Sequence, residues 1–299
     1  MELGIETTIE GQIVEKGIIA LDAKMFLEIV RKLPDSDITI ETDASFKVVI
    51  TCEKAKFTII GKSGEDFSYL PAVEKDDSIV MSQFTLKEVV RQTIFSISDN
   101  DNNKLMTGEL FDINGEEFKI VALDGHRISI RKIQLKNSYS PKKVVVPGKT
   151  LNEVSKILPG DADSDVTISF TEKHIVFEFD KTVVVSRLIE GEYFKIDQML
   201  SSDYETKVRV NKREFLSCIK EGDKKPIIVN ITDSGMELKI NSALVSMNEE
   251  IDIQKQGKDL MIGFNPKFLI DALRVIDDEE VDLYMVNPKA PCFIKNEEE

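Results

Sequence analysis

One short stretch of this chain gathers residue types that do acid–base chemistry: Asp124-Gly-His-Arg127. An imidazole at His126 beside a carboxylate at Asp124 is the pairing of a general base with its orienting group, and Arg127 is suited to steadying an anion. Three features weigh against turnover. Asp-Gly between two runs of alternating apolar and polar residues is first of all a hairpin-turn signal. The second histidine, His174, falls in a separate predicted strand. No serine or cysteine nucleophile motif accompanies either histidine. The two histidines and the cysteines Cys52, Cys218 and Cys292 show none of the usual metal-ligand spacings, and neither a phosphate-cradling nor a dinucleotide-binding glycine motif is present. The chain is read as a non-enzyme with no cofactor and no metal.

A second pattern is made of charge. Lys24, Glu28 and Arg31; Lys149, Glu153 and Lys156; Lys267, Asp271 and Arg274 each run basic, acidic, basic at i, i+4, i+7. That spacing puts three side chains on one helix face, opposite apolar positions such as Phe26, Val30 and Leu33. A solvated face with internal ion pairs explains any one helix. Three such faces in register point to a repeated basic surface, to which Lys87, Arg91 and Lys212 on two other predicted helices add. Contacts of this kind would hold phosphates without reading sequence.

The elements that must position these residues recur. Residues 17–33, 144–158 and 260–276 each read apolar strand, cap, amphipathic helix, at intervals of roughly 120 residues. Each is followed by an acidic break and strands of alternating character, as in 118–123 and 166–170. Two further helices, at 82–95 and 211–219, match one another as openings, the latter breaking at 220–226. Asp124-Gly125 and Asn114-Gly115 mark tight turns. The pattern predicts an α+β chain of three like modules, at 1–78, 79–204 and 205–299. Only the second is complete; the first lacks its amino-terminal part, and the third lacks its last strand and part of its first helix.

Composition bounds the partners. The net charge of −15 over 299 residues argues against a broadly basic nucleic-acid binder, but is blind to where the charges sit. No apolar run approaches a membrane span. The absence of a signal-like amino terminus and the odd number of scattered cysteines predict a cytoplasmic setting.

Several motifs together resemble the bacterial DNA polymerase III beta subunit family, the sliding clamps. They are Gly108-Glu-Leu-Phe-Asp112, Gly115-Glu-Glu-Phe118, Val121-Ala-Leu-Asp-Gly-His-Arg-Ile-Ser-Ile130, Val144-Val-Val-Pro147, Leu188-Ile-Glu-Gly-Glu-Tyr193 and Ile262-Gly-Phe-Asn265. The resemblance extends over essentially the whole chain. It implies DNA-clamp modules with antiparallel sheets outside and amphipathic helices inside, arranged as a head-to-tail homodimer ring that encircles double-stranded DNA. Lys24, Arg31, Lys87, Arg91, Lys149, Lys156, Lys212, Lys267 and Arg274 would then face the duplex. It also implies a cleft between the second and third modules that receives short peptide motifs of DNA polymerase III and clamp-loader subunits. By position that cleft comprises Met106, Leu123, Gly125, His126, Arg127, Ile128, Phe194, Gln198, Met199, Asn265 and Phe268.

The chain departs from the family at Tyr193-Phe-Lys-Ile-Asp197, where a proline-containing run is common, and the 99–104 loop lacks the Arg and Tyr that some clamps present to DNA. Two other readings remain: a repeat-built structural or interaction protein with no DNA role, and a hydrolase centred on His126.

Overall fold

The computed structural model of the protein describes residues 2–71, 77–100, 102–200, 203–219, 225–241 and 246–295; most of the break predicted at 220–226 and Asp101 of the 99–104 loop lie outside them. Period-two burial makes the strands. In β4, Val48, Ile50 and Cys52 are buried while Lys47 is exposed. Helix starts are set by side-chain caps: Asp22, Ser82, Asn211 and Asn265 each accept from a backbone N–H of the first turn. Pro266 follows the last of these at the position where a missing N–H costs nothing.

The first unit contains β1 (Leu3–Thr7), β2 (Ile19–Ala20), α1 (Ala23–Val30), β3 (Thr39–Thr42), β4 (Lys47–Cys52), β5 (Ala55–Ile60) and β6 (Lys62–Ser63). The second contains β7 (Asp77–Ser82), α2 (Gln83–Thr93), β8 (Gly108–Leu123), β9 (Ile128–Pro147), α3 (Gly148–Ile157), β10 (Asp165–Phe170), β11 (His174–Phe179) and β12 (Thr182–Arg187). The third contains β13 (Thr206–Asn211), α4 (Lys212–Ser217), β14 (Ile227–Thr232), β15 (Gly235–Asn241), β16 (Ser246–Ile251), β17 (Ile253–Gly257), β18 (Leu260–Phe264), α5 (Pro266–Val275), β19 (Glu280–Met285) and β20 (Phe293–Lys295). Every strand pairing is antiparallel.

β8 looks like one strand of sixteen residues, yet the rings of Phe111 and Phe118 stand 5.0 Å apart, edge to face. Seven residues of straight strand would separate them by about 23 Å. The chain therefore doubles back at Asn114-Gly115, where Gly115 takes φ 62° and the pairing with β9 shifts register. With that fold-back, residues 128–134, 117–123, 108–113 and 142–147 lie in the same order as β16-β15-β14-β18 of the third unit.

Each unit has its own core. In the second, Leu86, Val89 and Val90 of α2 and Leu151 and Val154 of α3 pack over Phe111, Phe118 and Ile120 and the inward side chains of β10, β11 and β12. In the third, Phe215 of α4 and Leu269, Ile270 and Leu273 of α5 do the same over β13, β14 and β19. α1 closes a smaller core of Ile29, Val48, Ile50 and Ile59.

The units share strands. β1 of the first unit pairs along β12 of the second in continuous register from Leu3 opposite Ser186 to Thr7 opposite Thr182, extending that sheet to β1-β12-β11-β10-β7. No described helix is long and apolar enough to cross a membrane.

Candidate functional site

Two groups of side chains carry the features singled out in the sequence, and the first of them meets the third unit. The first is the tip of the β8–β9 hairpin. Asp124 Oδ1 accepts from the backbone N–H of His126 (2.9 Å) and of Arg127 (3.1 Å), closing a local turn with Gly125 at φ 90°. Asp124 Oδ2 accepts from Nε of Arg127 at 3.0 Å. Its carboxylate is thus committed to the turn and to arginine, and the base-and-orienter reading of Asp124 and His126 has no geometric support.

The tip docks on α5. Arg127 donates to Asp271 Oδ2 at 2.6 Å, and its guanidinium lies 4.6 Å from the centroid of Phe268 and 5.4 Å from that of Phe95. The His126 ring stacks on Phe268 at 6.0 Å. Asp271, the acidic member of one basic-acidic-basic set, therefore pairs across modules with an arginine that the helical spacing could not reveal.

The second group is an apolar cluster of Leu110, Val121, Leu123, Val145, Tyr193 and Ile196, with Met106 and Phe194 packed against it. Tyr193 meets Phe194 edge to face at 5.5 Å and donates to the Val121 carbonyl at 3.4 Å. Of the predicted cleft residues, the structure joins Met106, Leu123 and Phe194 in this cluster, and His126, Arg127 and Phe268 in the polar knot. Ile128, Gln198 and Met199 are exposed beside these groups in the chain, and Asn265 is occupied as the cap of α5. Two surface concavities of about 190 and 160 Å³ lie elsewhere, on Asp77, Tyr139 and Lys142 and on Lys207, Arg209, Gln254 and Gln256.

The predicted basic surface divides into two sets. Lys24 and Arg31 on and after α1, Lys149 and Lys156 on α3, and Lys267 and Arg274 on α5 are all exposed. Lys156 pairs with Glu153 three residues before it at 2.9 Å, so the helical ion pair runs i, i+3 rather than i, i+4. The remaining three have structural employment. Lys87 donates to the carbonyl of Leu158 at 3.0 Å, and Lys212 donates to that of Ile276 at 2.5 Å. Each lysine of an opening helix thus closes the carboxyl end of its neighbour, where unpaired carbonyls and the helix dipole favour a cation. Arg91 bridges Glu88 (2.7 Å) and Asp277 of the third unit (2.8 Å).

One ionic centre escaped the sequence reading. Asp282, almost fully buried on the outward side of β19, accepts from Arg209 at 2.9 and 3.1 Å and lies 2.9 Å from the amine of Lys207. Hydrogen bonding to Arg209, and then the lysine, holds its carboxyl below the usual range. The register Arg209 opposite Asp282 brings these groups together, and only strand pairing could have revealed it. Among the described residues, no group of three or more His, Cys, Asp or Glu is placed to hold a metal ion.

Three family models match consecutive stretches of the chain: the N-terminal domain of the DNA polymerase III beta subunit over residues 1–71, the central domain over 80–195 and the C-terminal domain over 197–299. The beta sliding clamp of Staphylococcus aureus is 32% identical over 308 residues, covering 99% of this chain and 81% of the relative. Among solved structures, a DNA polymerase III beta subunit from Eubacterium rectale superposes with a TM-score of 0.93 at 75% identity, covering 100% of this chain and 83% of the other. The DNA polymerase sliding clamp of Bacillus subtilis gives 0.90 at 29% identity, covering 100% and 83%. With three like modules in this order and matches along nearly its full length, the chain belongs to the DNA polymerase III beta subunit family of bacterial sliding clamps.

Proposed function

We propose that this protein works without turnover, as a ring around duplex DNA that tethers the replicative polymerase and clamp-loader subunits. The observation that carries the reading is the threefold recurrence of exposed basic positions, Lys24 and Arg31, Lys149 and Lys156, Lys267 and Arg274, on the second helix of each module. An acidic chain can serve DNA in this way because a closed ring need only slide, and a weak lining screened by salt suffices. Lys87, Arg91 and Lys212 contribute field to such a lining while their donors remain on the helix ends and on Asp277.

Pairing of β12 with β1 supplies a rule for ring closure: the edge strand that ends one module adds to the opening sheet of the module before it. Applied to the remaining edges, it brings β5 of one protomer against β16 of a second copy, head to tail, as heterologous contacts that close into rings do. Charge agrees, with Lys56 exposed on β5 and Glu249 and Glu250 exposed on β16.

Retention on DNA tests the reading. Loaded on circular duplex, the protein should stay bound through gel filtration and be lost when the circle is cut; equal retention on both forms would sink encirclement. The double variant Lys149→Glu, Lys156→Glu should remain folded. It should weaken DNA association for all sequences alike and lower the salt slope by about two, since each phosphate contact contributes about one. An unchanged slope would remove α3 from the lining.

Partner docking is assigned to the apolar cluster and its exposed rim. Such surfaces bind through a few anchors. Met199→Ala with Ile128→Ala should cost about 2 kcal/mol of affinity for a labelled polymerase-tail peptide, on the hot-spot scale, and leave DNA association unchanged. Unaltered peptide affinity in a folded variant would reduce these residues to interdomain packing.

A further inference from the structure

The ionic centre around Asp282 borders one of the two surface concavities, and the fold does not require it. Val208 and Val210 of β13 and Val281 and Leu283 of β19 fill the core of the third unit. Lys207, Arg209, Asp282 and Tyr284 alternate with them and so stand on the outward face of the sheet.

The second unit is the control. Ser82 caps α2 as Asn211 caps α4. With these caps aligned, Ser78 and Val80 of β7 take the places of Lys207 and Arg209, and their partners Ser169 and Thr167 on β10 take those of Tyr284 and Asp282. The same strand pair thus forms with short neutral side chains. Since a buried ion pair is in itself weak evidence of a stabilising role, the charges on β13 and β19 call for another use.

The concavity, of about 160 Å³, is lined by Lys207 and Arg209 and by Gln254 and Gln256, which stand opposite them on β17. All four side chains carry N–H donors and none is an acid. Asp282 already accepts from Arg209 and from the Tyr284 hydroxyl at 3.3 Å, and holds the Lys207 amine at 2.9 Å. One carboxylate balances one of the two cations. The wall therefore keeps a positive charge on a chain whose net charge is −15. Hydrogen bonding to Asp282 holds the Lys207 amine above the usual lysine range, which keeps it charged.

An aromatic pair adjoins these cations. Lys207 Nζ lies 5.1 Å from the centroid of Tyr284, and Lys295 Nζ approaches the same ring at 5.7 Å. Tyr284 meets Tyr204 edge to face at 5.1 Å, and Tyr204 is 47% exposed. Cations beside an open ring suit a single strand of nucleic acid, whose phosphates seek positive charge and whose unpaired bases stack on aromatic side chains. A duplex keeps its bases stacked within itself, and an acidic peptide would use the cations and leave Tyr204 idle.

We propose that the outward face of β13, β17 and β19 is a binding site for single-stranded nucleic acid, with a phosphate held in the concavity by Lys207 and Arg209 and a base stacked on Tyr204. It is separate from the helix faces assigned to the duplex.

Fluorescence anisotropy of a short labelled oligothymidylate, titrated with the full chain, tests the proposal. Lys207→Gln keeps the bond between Arg209 and Asp282. It should weaken binding several-fold and lower the salt slope by about 0.7, the share of one phosphate contact on a single strand. Tyr204→Ala, at an exposed position, should weaken binding about fivefold or more, the loss of one stacked base, while Tyr204→Phe should bind as the native protein does. Circular dichroism checks that each variant is folded. Lys149→Glu, Lys156→Glu should still bind the oligomer, and Lys207→Gln should leave retention on circular duplex unchanged, so this site and the encirclement reading fail separately.

Absence of oligomer binding by the native protein, or equal binding by Lys207→Gln and Tyr204→Ala, would overturn the proposal. Loss of binding in the Lys149, Lys156 variant alone would place the strand among the helices and overturn it too. An effect of Lys207→Gln without one of Tyr204→Ala, together with displacement by an oligoglutamate peptide, would overturn it in favour of an acidic peptide.

Discussion

Phe118→Ala is expected to lower the stability of the protein by about 3–5 kcal/mol, the range for emptying a large aromatic from a closed core. Phe118 is fully buried at the heart of the second module and meets Phe111 edge to face at 5.0 Å across the β8 fold-back. The substitution forfeits transfer energy, ring–ring attraction and the filling of a cavity with walls from both sheets and α2, which cannot collapse together. Because the same strand pair ends in the Asp124–Arg127 tip, the loss should also reach the third module's contact. Urea unfolding followed by circular dichroism measures it; a cost below about 1 kcal/mol would mean that Phe118 is not the keystone of that hairpin.

The second large effect concerns the tip itself. Arg127 holds Asp124 at 3.0 Å and Asp271 at 2.6 Å, with side chains only 14%, 14% and 21% exposed. Removing one partner of a buried pair leaves uncompensated charge at a cost of about 3–5 kcal/mol, and partial exposure of the carboxylates brings the expectation for Arg127→Ala to about 2–3 kcal/mol. Loss of the arginine over Phe268 adds to this. A double-mutant cycle with Asp271→Asn isolates the bond between modules. A coupling energy near zero would show that tip and helix touch without holding each other.

Much of this was legible because it is local. The helices at 23–30, 148–157 and 266–275 follow from apolar spacing, the first and last of them also from side-chain caps, and the turns at Asn114-Gly115 and Asp124-Gly125 from the left-handed backbone that glycine accepts there. Exposure of Lys24, Lys149 and Lys267 follows from the same periodicity. What spacing cannot show is a partner far away in sequence. Asp271 reads as a mate for Lys267 and belongs to Arg127; Lys87 and Lys212 read as surface charge and cap neighbouring helices. Glu109 reads as the polar member of an alternating strand, and burial on both sides of β8 leaves it dry.

The pairing of β1 with β12 also bears on how the chain is made. Thr7 and Thr182, joined by a hydroxyl contact of 2.8 Å, are 175 residues apart. At a synthesis rate of about 5–20 residues per second, the residues of β1 wait on the order of 10–35 s for the strand that will receive them. During that interval Leu3, Ile5 and the neighbouring main chain are an open template for any other extended segment, including the β1 of a chain emerging from the next ribosome on the same message. Closing this seam is thus a late step of biogenesis, and crowding on the polysome should compete with it.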